Sequence, residues 1–93
     1  MTTPLHKRFE PPRDVQSRRF HDETVVLDLV RGEYFSLDEV GSKVWDSLVA
    51  GSSVPEVVAA LEKEFDADAE RIEADVVALV DDLVARRLLV ERP

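Results

Sequence analysis

The stretch TVVLDLVRGEYFSLD, residues 24–38, decides the fold. Thr24 to Val30 is rich in β-branched side chains and predicts a strand. On it Val25, Leu27 and Leu29 share one face, and Val26, Asp28 and Val30 share the other. Arg31-Gly32 is a short turn in which the glycine can take positive φ, and Glu33 begins the return. Tyr34-Phe35-Ser36-Leu37 is the next strand, with Phe35 and Leu37 on one face. The stretch is a β-hairpin.

Upstream, Arg13 to Phe20 predicts a first, polar edge strand whose main apolar residues are Val15 and Phe20. His21-Asp22-Glu23 turns the chain into the hairpin. Residues 1–12 contain Pro4, Pro11 and Pro12 without apolar periodicity, so a flexible lead-in is expected there.

Downstream, Asp38 is placed to cap a helix over Glu39–Val49 that groups Val40, Val44, Trp45 and Leu48 on one side. Gly51 ends it. Ser53-Val54-Pro55-Glu56 has the spacing of a capping box, with proline tolerated in the first turn. A second helix, Val54–Phe65, turns Val57, Val58, Leu61 and Phe65 inward. Asp68 then caps the longest helix, Ala69–Arg87, and Leu88-Leu89-Val90 forms a short tail. The order predicts a winged helix-turn-helix-like α+β domain over residues 13–93, a three-stranded antiparallel sheet followed by three helices.

Ninety-three residues suffice for one modest core, and a hydrophobic fraction of 44% argues against wholesale disorder. No apolar run approaches the roughly 20 residues of a membrane span, and the charged, proline-bearing N-terminus is not a signal peptide. The absence of cysteine excludes disulfides and thiolate metal sites. A cytoplasmic protein without membrane association is expected. The net charge of −8 is uneven: residues 1–31 hold six bases and five acids, residues 32–93 six bases and fifteen acids. Such a helical half repels a phosphate backbone, so nucleic acid is not an expected partner.

Catalysis needs an activated group with a partner in reach. His6 lies in the lead-in, and His21 beside Asp22 reads as a solvated turn rather than a dyad. Ser52 and Ser53 are helix-start residues, and no serine has a G-x-S-x-G context. Asp66-x-Asp68-x-Glu70 lacks the central glycine and closing glutamate of a calcium loop, so helix capping accounts for it. Gly32, Gly41 and Gly51 are too scattered to cradle phosphate. No enzymatic activity, cofactor or metal is expected.

What remains is surface. On the third helix Ile72, Val76, Leu79 and Leu83 form one stripe, and Val77, Val80 and Val84 form a second roughly 100° away. The second either packs on the sheet as core or lines an open groove between helix and sheet. If the strands pair in sequence order, Tyr34–Leu37 is a sheet edge. An edge beside an apolar helix face is what addition of an extended peptide strand requires.

The stretch from Val25 to Trp45, its continuation Gly51–Phe65, Asp68 and the Arg86-Arg87-Leu88-Leu89 ending closely resemble the PqqD-like family. These are recognition elements for ribosomally made, post-translationally modified peptides. The Tyr34–Gly41 segment with Trp45 looks most like the stand-alone leader-binding proteins of lasso peptide biosynthesis. The resemblance implies a non-catalytic adaptor that binds a precursor leader peptide as an added strand and presents it to a separate leader peptidase and a lasso cyclase. It implies a binding edge of Tyr34, Phe35, Ser36 and Leu37. It also implies a wall on the third helix, drawn by helix geometry from Val76, Val77, Val80, Asp81 and Val84. Arg86 or Arg87 could meet leader carboxylates, or could simply answer the helix dipole.

Three other readings fit less well. A PqqD-type chaperone for a different peptide-modifying enzyme shares the architecture. A winged-helix DNA regulator needs a basic third helix, whereas this one carries Glu70, Glu73, Asp75, Asp81 and Asp82 against Arg71, Arg86 and Arg87. In an acyl-carrier-like protein the modified serine stands at a helix start, but Ser47 is mid-helix. From the sequence, Tyr34→Ala and Val80→Asp are each expected to abolish leader binding while the circular dichroism spectrum stays native.

Overall fold

The alternation in residues 23–37 yields two strands of a three-stranded sheet in the computed structural model, which describes residues 7–92. In chain order the elements are β1 (Phe9–Glu10), β2 (Val15–Phe20), β3 (Glu23–Asp28), β4 (Glu33–Leu37), α1 (Glu39–Val49), α2 (Val54–Glu64), α3 (Ala69–Ala85) and β5 (Val90–Glu91). Strands β2, β3 and β4 pair antiparallel in sequence order, with Val26 opposite Ser17 on one side and Phe35 on the other. The expected winged helix-turn-helix-like arrangement of three strands and three helices is present.

The hairpin loop is longer than the two residues predicted. Strand β3 stops at Asp28 because its carboxylate accepts from the N–H groups of Val30 and Arg31, both at 3.0 Å. Asp28 O also accepts from Gly32 N at 2.9 Å. Those bonds fold residues 29–32 into a turn, with Gly32 at φ +70°. Leu29 and Val30 therefore leave the strand and are exposed. The core face of β3 carries Thr24, Val26 and Asp28, all buried.

The helix starts were legible because capping is local. The Asp38 carboxylate accepts from Gly41 N at 2.8 Å, and Ser53 and Glu56 form the reciprocal capping box. Asp68 accepts from Glu70 N at 3.1 Å. The capping bond from Ser53 N, with Arg8 alongside, holds the Glu56 carboxyl below its ordinary range. Helix α1 presses its first turn against β4. A Cβ on Gly41 would lie 3.3 Å from Leu37 Cβ, and Ser42 Oγ donates to Leu37 O at 3.3 Å. This tilt buries Gly41 and Ser42 and turns Val40 outward, so Val40 does not join Val44, Trp45 and Leu48 in the core.

Helix α3 ends two residues before the predicted Arg87. Leu88 N donates to Leu83 O at 2.9 Å and Arg87 N to Val84 O at 3.0 Å, with Arg87 at φ +59°. This is a Schellman ending with a non-glycine residue in the left-handed region, which costs about 1 kcal/mol. The reversal sends Leu88 and Leu89 into the core beside Trp45, Leu48 and Leu83. The expected tail is thus a core segment.

The flexible lead-in is corrected in the same way, for the part the structure describes; residues 1–6 lie outside the described residues. Phe9 is buried in the same core, and β1 pairs antiparallel with β5, Phe9 opposite Glu91. Lys7 pairs with Glu91, Arg8 bonds Gly51 O and Glu56, and Arg92 donates to Phe9 O and Val49 O. Burial of a phenylalanine at 3% exposure has a measurable weight. Phe9→Ala is expected to lower the unfolding free energy by about 3 kcal/mol in urea denaturation; a flexible lead-in would give no change.

Candidate peptide-binding groove

Which groups of β4 face outward follows from one bond. Leu29 N donates to Asp14 O at 3.0 Å, in register with the β2–β3 ladder. Antiparallel bonding alternates, so the odd residues of β3 face β2, and Thr24, Val26 and Asp28 face β4. Their partners Leu37, Phe35 and Glu33 turn their backbone groups inward. The N–H and C=O groups of Tyr34 and Ser36 are left on the free edge of the sheet. Side chains alternate too: Phe35 and Leu37 point to the core face, Tyr34 and Ser36 to the opposite one.

Beside that edge lies a groove of about 670 Å³. Phe35, Ser36, Leu37 and Asp38 form its strand side, and Val40, Gly41 and Val44 come from α1. Leu61, Phe65 and Ala67 close the α2 end, and Ile72, Asp75, Val76 and Leu79 form the α3 wall. The lining is mostly apolar, with Asp38 and Asp75 as its charged members. Phe65 serves here as the C-cap of α2, half-buried rather than turned wholly inward. The α3 end of the groove is marked by Arg86, whose guanidinium sits 4.7 Å from the centroid of the Phe35 ring.

The sequence-derived site divides accordingly. Phe35, Ser36, Leu37 and Val76 line the groove; Tyr34 contributes edge backbone while its side chain is 71% exposed on the outer face. Val80 is fully buried and offers no surface to a ligand. Val77, Asp81 and Val84 are half-buried and not part of the groove lining. Helix geometry explains this. The buried residues Ile72, Val76, Val80 and Leu83 centre one stripe, with Asp75, Leu79 and Arg86 on one flank and Val77, Asp81 and Val84 on the other. Asp75 and Leu79 of the first flank line the groove, and Arg86 stands outside the lining, over Phe35. Leu79, assigned to the packing stripe by sequence, and Asp75 and Phe65 are among the groove-lining residues that the sequence did not assign to the site, as are those from α1. Among the described residues no cluster of His, Cys, Asp or Glu could hold a metal ion.

Residues 23–89 match the family described as coenzyme PQQ synthesis protein D (PqqD). The chain belongs to the PqqD family. It is 37% identical over 75 residues to the PqqA binding proteins of Xanthomonas axonopodis pv. citri (strain 306) and Xanthomonas euvesicatoria pv. vesicatoria (strain 85-10), covering 81% of this chain and 79% of each relative. Among solved structures of the same fold, TbiB1 in complex with the TbiA(beta) leader peptide superposes with a TM-score of 0.82 at 35% identity. That match covers 86% of this chain and 93% of TbiB1. A lasso peptide synthetase B1 complexed with its leader peptide gives 0.84 at 24% identity, covering 89% and 98% of the two chains, and shows the shared fold.

The groove-facing flank of α3 and its buried stripe can be told apart by substitution. Leu79→Ser is expected to lower stability by about 1 kcal/mol and leave the circular dichroism spectrum native. Val80→Asp places an unpaired charge in the core and is expected to remove more than about 4 kcal/mol, unfolding the protein. Thermal melts followed by circular dichroism check both, and the second outcome replaces the expectation of a folded Val80→Asp protein.

Proposed function

We propose that this PqqD-family chain is a non-catalytic adaptor that takes the leader segment of a ribosomally made precursor peptide as an added strand along β4. The observation that carries the reading is the unpaired backbone of Tyr34 and Ser36 beside an apolar groove. An extended peptide bonded to those groups places every second side chain in the groove, against Phe35, Leu37, Phe65 and Leu79. Main-chain bonds supply affinity, and the apolar pockets supply selectivity. The leader-bound state of TbiB1, 35% identical, supports the same use of the fold.

In this reading the chain holds its precursor in the cytoplasm and presents it to a separate leader peptidase and then to a lasso cyclase, without a cofactor of its own. The PqqA binding relatives favour a second reading, in which the precursor is PqqA-like and the receiving enzyme differs. Fluorescence anisotropy with a labelled TbiA(beta) leader, PqqA and the leaders of precursor genes near that of this chain separates the two.

Strand addition has a specific test. Proline is tolerated on an edge strand where its missing N–H would face outward. Ser36→Pro is therefore expected to keep the native spectrum and lose leader binding at least tenfold, whereas Ser36→Ala binds as the parent does. Equal binding by both variants would show that the peptide does not bond to this edge.

A further inference from the structure

We infer that the groove is electrically graded along its length. It selects a strand that carries a basic side chain followed, about four or six residues later on the same face, by an acidic one, read by Asp75 and Arg86. The inference rests on the strand-addition reading above and names the chemistry of the peptide that the groove accepts.

Asp75 and Arg86 share one flank of α3, with Leu79 between them; Asp75 and Leu79 line the groove, and Arg86 stands at its end over Phe35. Asp75 lines the groove, is exposed, and has no ion-pair partner among the described residues. The groove's other acid, Asp38, is committed to capping α1 through Gly41 N. Asp75 is thus the open charge at that end. It stands in an otherwise apolar wall, where an ammonium or guanidinium on the incoming strand would meet it with less water between them than on an open surface.

The other end has the opposite character. Arg86 is held twice, by Nε donating to Asp82 Oδ1 at 3.0 Å and by its guanidinium over the Phe35 ring at 4.7 Å. Its two terminal nitrogens have no hydrogen-bond partner among the described residues. A guanidinium fixed at Nε and on one face presents its remaining donors as a fork suited to a carboxylate. Asp82 offsets part of the charge, so this end discriminates less strongly than the Asp75 end.

Orientation and spacing follow from the elements. On the strand the lining begins at Phe35 and runs on to Asp38; on α3 it runs from Ile72 to Leu79 and stops short of Arg86, which stands over Phe35, so β4 and α3 run in opposite directions. An added strand antiparallel to β4, the more stable pairing, runs the same way as α3. Its N-terminal part passes Asp75 and its C-terminal part passes Arg86. The two stand about three helical turns apart, a rise of about 16 Å; since only every second side chain of an extended strand faces the groove, the matching spacing is about four or six residues.

A displayed library of random twelve-residue peptides, selected on the parent protein and counter-selected on Ser36→Pro, tests this with no ligand assumed in advance. Enrichment of Lys or Arg followed about four or six residues later by Asp or Glu, among apolar residues, is expected. Asp75→Lys should convert the first preference to acidic residues. With the best peptide as a labelled probe, changing its basic residue to Gln should weaken binding about fivefold to the parent protein and negligibly to Asp75→Asn. Apolar peptides that need the β4 edge but carry no charge pattern, or ignore Asp75→Lys, would overturn the inference and leave the adaptor reading intact. An acid-before-base order would overturn the antiparallel direction. Recovery of no peptide sensitive to Ser36→Pro would overturn the adaptor reading and this inference together.

Discussion

The structure depends on the junction at which β4 becomes α1 without an intervening loop. Leu37 is the last residue of the strand, Asp38 is already the helix cap, and Gly41 and Ser42 lie against Leu37. A Cβ at position 41 would meet Asp38 Oδ1 at 3.2 Å and the Leu37 side chain at 3.3 Å, so those groups would have to give way for it. With the turn in place, β4 is fixed through one face on the helical layer and through one edge on β3. Its other edge stays open beside α3. The groove is the space that this junction leaves between a strand paired on one side and a helix packed on its neighbours.

Much of this was legible in the sequence, and the boundary of legibility follows the range of the interactions. The hairpin and the three caps at Asp38, Ser53 and Asp68 are set by residues close to one another in the chain; the caps stand where the pattern predicts, and the hairpin differs only in its longer loop. What escaped is set across the chain. Phe9 and Leu89 have no local pattern that marks them as partners of Trp45, and the pairing of β1 with β5 joins opposite ends of the chain. The α3 ending was missed for a different reason, since a left-handed arginine replaces the glycine that normally announces it.

The candidate site shows the same division. Periodicity identified two apolar stripes on α3 but not which flank would face β4, because that depends on how α2 and the sheet set the helix's rotation. Val80 therefore passed for a groove residue while sitting in the core, and Leu79 passed for core while lining the groove. The signal available was the row Asp75, Leu79, Asp82, Arg86, spaced i, i+4, i+7, i+11, which mixes charge and apolar character in a way a purely packed face does not. The edge strand was easier, since Tyr34–Leu37 needs only sequential pairing to be outermost.

The clasp of β1 on β5 has a consequence for how such a fold can be reused. Phe9 and Glu91 are cross-strand neighbours, so the first and last strands of the described residues lie side by side, separated by about 5 Å of sheet spacing. They do so near Gly51 and Val49, at the far end of α1 from Gly41 and the groove, about 15 Å away along the helix. A unit with adjoining ends can be spliced into a surface loop of a larger enzyme, or circularly permuted by joining them, without stretching the host. The groove would stay open in either arrangement. The geometry makes this a portable cassette, equally suited to a free-standing chain and to a graft.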